Sequence, residues 1–326
     1  MRRREFITLV GGAATAWPLA ARAQQATLPV IAFLSPGSPE ADVSRLKSLR
    51  QGLKETGYVE SQNVAIEYRW ARSKYDQLPA LAADLVARQV AALVTVGTPA
   101  ALAAKAATNT IPIVFVVGGD PAQLGLVSSL SRPGGNATGV DVLNLEVIGK
   151  RLELLHELVP AAPIIAFLAN PKSALAEVEA KTLRAAGRAL GVELRVLNAA
   201  SENEIDAAFA ILAKDQSTPL LVSADVMFTD QRVQLIVLAA RHAVPTIYCY
   251  REFVAAGGLI SYGPDLADAY RQIGVYTGRI LKGAKPSELP AQQAVKVELA
   301  INLKTARALG ITFPLPLLGR ADEVID

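Results

Sequence analysis

Cysteine and histidine are scarce in this 326-residue chain: there is one cysteine, Cys249, and there are two histidines, His156 and His242. A single cysteine excludes an internal disulfide framework, and two histidines leave too few ligands for a Cys/His zinc site. Catalytic signatures are missing as well, with no G-x-S-x-G elbow, no H-E-x-x-H and no G-x-x-x-x-G-K-[ST] loop. His156 falls within an expected helix, and His242 follows Arg241 at an expected helix end, where a cation suits the dipole. Neither has an evident nucleophile beside it. No catalytic residue, metal or cofactor is therefore assigned. With 51% hydrophobic residues the chain is too apolar to be disordered, and its length fits about two domains.

An excess of positive charge is also missing once the first residues are set aside. Arg2, Arg3 and Arg4 form a positive start, 7–16 is a short apolar run, and Ala21-Arg22-Ala23 is a small-x-small cleavage site. That is the build of a secretory signal peptide over 1–23, and Arg3-Arg4-Glu5-Phe6-Ile7 resembles the twin-arginine export signal. Gly11, Gly12 and Pro18 interrupt the apolar run, which makes it a poor membrane span. Cleavage after Ala23 turns a formal charge of +3 into zero, with 29 basic and 29 acidic residues left. A nucleic-acid binder would keep a basic surplus, so no nucleic-acid partner is expected. The cleavage site carries no cysteine, so no lipid anchor is indicated. The expected location is the periplasm, where the lone Cys249 is expected to be buried rather than reactive.

What is there is a strand–helix alternation that runs almost to the end. Strands are expected at 30–34, 64–70, 92–96, 113–117, 139–143, 164–169, 193–197, 220–223, 246–248, 259–262 and 295–301. Helices are expected at 38–56, 75–88, 99–107, 121–131, 145–158, 171–190, 202–214, 229–242, 264–281 and 304–309. The strands are short continuous apolar runs, as in parallel sheets covered by helices on both faces. About half of these units precede residue 143, which points to two α/β lobes, with one continuous sheet as the alternative. Loops at 132–136 and 283–290 mark two breaks, so the chain is expected to pass between lobes more than once.

Ligands of open parallel sheets bind beyond the carboxyl ends of the strands. Here those ends carry a repeated corner: Ser35-Pro36-Gly37, Gly97-Thr98-Pro99, Gly118-Gly119-Asp120-Pro121 and Asn170-Pro171. Thr, Asp and Asn suit N-caps, Pro suits the first helical position, and free helix N–H groups attract carboxylates. The same corners also serve as plain structural caps, each contributing about 1 kcal/mol with no ligand. Asp225 follows strand 220–223 as a candidate ammonium partner, and Glu252, Tyr262 and Asp265 follow later strands. Tyr68 and Trp70 share one side of a strand and are expected to pack rather than bind.

Three stretches resemble one family: Gly119-Asp120-Pro121 through Leu126 with Ser131 to Gly139; Arg251-Glu252-Phe253 with Gly257-Gly258-Leu259 and Ser261-Tyr262-Gly263; and Val297 to Ala306. The chain is similar to the solute-binding proteins of ABC transporters, in the branch that includes tryptophan- and tyrosine-type members. The resemblance implies a type I periplasmic-binding fold, two doubly wound lobes joined by a three-crossing hinge. It places 27–141 with about 265–290 in one lobe, and 142–264 with about 291–326 in the other. It implies a non-enzymatic monomer that captures an amino acid, aromatic or other organic acid by hinge closure and delivers it to an inner-membrane permease. Thr98 would then meet the ligand carboxylate, and Asp225 or Asp120 its amine. An exported hydrolase-like α/β enzyme and a periplasmic sensor for a membrane receptor are the rival readings.

Overall fold

Apolar runs bounded by glycine and proline become strands here because their side chains are covered on both faces. The computed structural model describes residues 28–215, 218–294 and 296–326; the expected signal peptide at 1–23 and the start of the last expected strand at 295 lie outside them. Five parallel strands come first: β1 (Val30–Ser35), β2 (Ala65–Trp70), β3 (Ala92–Val96), β4 (Ile113–Val117) and β5 (Ala137–Asp141). Every residue of β3, β4 and β5 is buried, whereas the edge strand β2 is half-exposed throughout. On its face Tyr68 stacks on Trp70 with ring centres 5.2 Å apart, the packing role expected for the pair. Helices α1 (Val43–Glu55), α2 (Leu78–Ala87) and α3 (Gly97–Ala107) connect these strands.

The second sheet begins after α4 (Asn144–Leu158). It holds β6 (Ile164–Ala169), β7 (Glu193–Asn198), β8 (Leu220–Val222), β9 (Thr246–Tyr248) and β10 (Ile260–Pro264). Its helices are α5 (Ala176–Leu190), α6 (Glu202–Leu212), α7 (Val226–Asp230), α8 (Arg232–Arg241) and α9 (Arg251–Ala255). The long helix α10 (Leu266–Leu281) then returns to the first sheet and packs along α1. The short strand β11 (Gln292–Gln293) pairs with β5, after which β12 (Val297–Asn302), α11 (Leu303–Ala308), α12 (Leu315–Leu318) and β13 (Glu323–Ile325) finish the second sheet. The strand orders are β11-β5-β4-β3-β1-β2 and β13-β12-β10-β9-β8-β6-β7. The chain thus passes between two doubly wound sheets three times, after β5, β10 and β11. The last passage falls after Gln293, because β11 still pairs with the first sheet.

Several local expectations give way to tertiary context. The expected helix at 121–131 is a run of turns: Gly125 takes a φ of 72° and closes the segment after one turn. The helix expected from 38 starts at Val43, that from 171 starts at Ala176, and 229–242 is divided at Gln231 between α7 and α8. The second sheet is not all parallel, since β12 runs antiparallel to β10 with Val297 opposite Pro264. The cause is the passage itself. The chain re-enters from the other lobe at the carboxyl end of β10, so its next strand runs back along that neighbour.

Candidate functional site

The carboxyl ends of β3 and β4 in one sheet face those of β6, β8 and β9 in the other. Between them lies a cavity of about 50 Å³. The first lobe contributes 96–99 from the β3–α3 corner, 116–118 from the end of β4, and Arg45 and Tyr270 from α1 and α10. The second contributes Asn144, Ser173, Leu175, Glu179, 223–226, Thr229 and Tyr250. Among the described residues no group of three or more His, Cys, Asp or Glu side chains could hold a metal ion. No helix there is long and apolar enough to cross a membrane.

Asp225 stands at the centre of the second lobe's wall because it caps α7. Its Oδ1 accepts from Met227 N at 3.1 Å, from Asn170 Nδ2 at 2.9 Å and from Tyr75 Oη at 2.6 Å. Burial raises its pKa, and these hydrogen bonds pull it back down. Tyr75 belongs to the first lobe, in a short turn of 3₁₀ helix before α2, so this bond crosses the cleft. A second crossing lies nearby, where Asp230 accepts from the hydroxyls of Ser38 and Ser73. Apolar contacts cross as well. A Cβ built on Gly97 would fall 2.8 Å from a Val226 methyl, and one on Gly119 would fall 3.1 Å from Leu175. The two lobes touch across the cleft.

A second carboxyl lies in the same wall. Glu179, in the first turn of α5, is buried and accepts from Ser223 Oγ at 2.7 Å. Burial pushes its pKa up to about 7; the Ser223 bond and the Arg151 charge oppose the rise, and Asp225 adds to it. Arg151 lies behind the wall with no exposed surface, donating from Nε to the Tyr262 carbonyl at 2.7 Å and from Nη2 to Asn144 Oδ1 at 2.7 Å. Asn144 passes the chain on to Tyr250 Oη at 2.6 Å. Arg45 is held by Asp42 at 2.6 Å, and Trp70 Nε1 bonds the same carboxylate at 3.0 Å. Cys249 is buried, and burial pushes its thiol up to about 12, far from a reactive thiolate.

Of the residues singled out in the sequence, Thr98, Pro99 and Asp225 line the cavity, and Asn170 supports Asp225 from behind. Thr98 is not an N-cap; it sits inside the first turn of α3, with its hydroxyl 3.5 Å from Gly118 N. Asn170 turns the chain by accepting from Lys172 N at 3.0 Å, with α5 starting later. Ser35 accepts from Gly37 N at 3.1 Å, so Ser35-Pro36-Gly37 forms a tight turn whose Gly37 abuts Val226 across the cleft. Gly119 lies under Leu175.

Four others lie outside the lining. Asp120 accepts from Ala122 N at 2.8 Å and caps a turn with no helix behind it. Glu252 borders an outer groove of about 500 Å³ between α1 and α9. Tyr262 gives only its carbonyl to Arg151. Asp265 caps α10 at Ala267 N, 2.9 Å away, beside the second passage between lobes. Residues that the sequence left unmarked, notably Tyr75, Asn144 and Glu179, do as much of the lining and bridging. For Glu179 a signal exists: Leu183 and Gly187, one and two turns on, are buried with it, so it opens a buried stripe.

With this geometry in place, the relatives are informative. The chain is 26% identical over 272 residues, 83% of its length and 77% of that protein, to a tyrosine-binding protein of Clostridioides difficile (strain R20291). It superposes with a TM-score of 0.84 at 29% identity on a conserved domain protein from Vibrio cholerae, covering 91% of this chain and 100% of that one. A Streptococcus pneumonia ABC domain in complex with L-Trp gives 0.82 at 26% identity, covering 92% and 100%. Residues 28–325 match the model of the ABC transporter substrate binding protein family, and the chain belongs to that family.

Proposed function

We propose that the protein is the periplasmic substrate-binding component of an ABC importer, capturing a small solute of the amino-acid or organic-acid class between its lobes. The observation that carries this reading is the cavity itself, lined by both lobes with Asp225 buried in its wall. The names of the relatives, one tyrosine-binding and one bound to L-Trp, support a ligand with an amine and a carboxylate. In this reading Asp225 meets the amine. Thr98, with the N–H groups at the start of α3, meets the carboxylate, where the helix dipole favours negative charge.

The lobes divide as 28–141 with 265–293 and 142–264 with 297–326. A ligand touching both favours the closed arrangement by its differential affinity for it. The protein acts as a monomer, without a cofactor or nucleic acid, exported through its 1–23 leader and handing its solute to a membrane permease. It performs no catalysis.

Thermal unfolding against a panel of amino acids and small organic acids tests the reading. A ligand at 100 times its Kd adds about 2.7 kcal/mol and shifts the midpoint by roughly 5–10 °C. Asp225→Asn is expected to abolish the shift. A flat panel, or a shift that survives Asp225→Asn, overturns the assignment.

A further inference from the structure

Glu179 is not explained by amine capture at Asp225. It is 3% exposed, comes from a different element, and borders the same cavity. One oxygen, Oε2, takes the Ser223 hydroxyl. The other, Oε1, has no hydrogen bond among the described residues, yet it is not among the side-chain oxygens sealed from all contact. A structural carboxyl in a dry wall would use both oxygens: ionised, it needs donors; neutral, its O–H needs an acceptor. Glu179 has an oxygen left over, and the residue lines the ligand's space.

The charges around the cavity point the same way. Arg45 is spent on Asp42. Arg151 offsets one negative charge from behind, with its bonds directed at Tyr262 and Asn144. That leaves Asp225 and Glu179 against a single cation. Asp141, with Glu146 and Asp120 acting on it, adds negative charge at the neighbouring passage between lobes. A zwitterion brings no net charge to this setting.

We propose that Glu179 is a second ligand-contacting carboxylate, and that the cleft selects an amino acid carrying a second amine on its side chain. The inference rests on the amino-acid-binding reading above. Asp225 takes the α-amine, Thr98 and the start of α3 take the carboxylate, and Glu179 takes the side-chain nitrogen.

Isothermal calorimetry with 2,3-diaminopropionate, 2,4-diaminobutyrate, ornithine, 2-aminobutyrate, phenylalanine and tryptophan tests it, on the parent protein, Glu179→Gln and Asp225→Asn. The parent is expected to prefer 2,4-diaminobutyrate over 2-aminobutyrate by about ten-fold or more, the scale of one charge-assisted hydrogen bond. Glu179→Gln is expected to erase that preference, with a cooperative melt showing that the variant is folded. Equal binding of the two ligands by the parent, tighter binding of an aromatic member, or a preference that survives Glu179→Gln overturns this proposal alone, provided binding still depends on Asp225. Absence of binding by every member overturns it together with the reading beneath it.

Discussion

Glycine marks two seams in this molecule, and it does different work in each. In the seam within the first lobe, α1 meets α10 backbone to backbone. A Cβ on Gly52 would fall 1.9 Å from the Arg271 carbonyl oxygen, and one on Gly274 would fall 2.3 Å from that of Leu49. In the seam between lobes, Gly37, Gly97 and Gly119 meet side chains rather than backbone, and nearest of all the tips of Val226 and Leu175. The polar contacts there include hydroxyls on carboxylates, from Tyr75 to Asp225 and from Ser38 and Ser73 to Asp230, and Met227 N on the Tyr75 hydroxyl. The first seam has no partner but the facing helix. The second is made of groups that water replaces without loss of the fold. The contrast separates what builds a lobe from what holds two lobes together.

The sharpest way to break that contrast is at the first seam. Gly52→Ala or Gly274→Ala forces two backbones apart, since neither facing oxygen belongs to a flexible side chain. Each is expected to cost about 3 kcal/mol or more, read as a fall in the urea midpoint. A midpoint unchanged by either substitution would mean that the helices slide freely and the seam is no more rigid than the cleft.

Close behind comes a pH-dependent effect in the cleft wall. The ordinary pKa of Glu179 is 4.5 and its folded value is about 7. The fold therefore favours the neutral form, and the stability this contributes is present below about 4.5 and lost as pH rises to about 7. Glu179→Gln does not titrate. The variant is expected to gain on the parent by about 3 kcal/mol at pH 8 and by nothing at pH 4. Ser223 and Arg151 oppose the shift and Asp225 adds to it, so all three stay unchanged in the comparison. A difference that is flat across this range would mean that the carboxyl stays ionised and fully paired.

Much of the first seam's setting was legible and much of the second was not, for a physical reason. Strands such as 113–117 and 164–169 are continuous apolar runs, and burial on both faces makes them readable without knowledge of their neighbours. The helix expected over 121–131 does not form, because Gly125 adopts a backbone that ends the turn. The direction of β12 depends on where the chain re-enters the second lobe, which no local pattern encodes. In the cleft, Thr98 and Asp225 follow from position alone, since strand ends in open sheets meet the ligand space. Tyr75 does not, because its partner is 150 residues away in sequence. Arg151 looks like a solvent-facing charge on an amphipathic helix until the packing turns it inward.

The smallest expected effect sharpens the comparison most, because it falls on the second seam and nowhere else. Tyr75→Phe keeps the buried ring and removes one hydroxyl. Asp225 keeps its bonds from Asn170 and Met227 within its own lobe. What is lost across the cleft is the bond to Asp225, about 2 kcal/mol for a hydrogen bond to a charged group, together with the longer one that Met227 N donates to the same hydroxyl at 3.2 Å. Neither lobe loses an internal contact of its own carboxylate, so the loss falls on the balance between closed and open arrangements. The ligand-free protein is expected to show a larger radius of gyration by small-angle X-ray scattering. Ligand affinity is expected to weaken by up to about thirty-fold as the binding-competent fraction falls. The urea slope, which reports surface exposed on unfolding, is expected to change little. If the radius and the affinity both stay fixed, the apolar tips of Val226 and Leu175 hold the lobes together. The second seam is then closer in kind to the first than its hydroxyls imply.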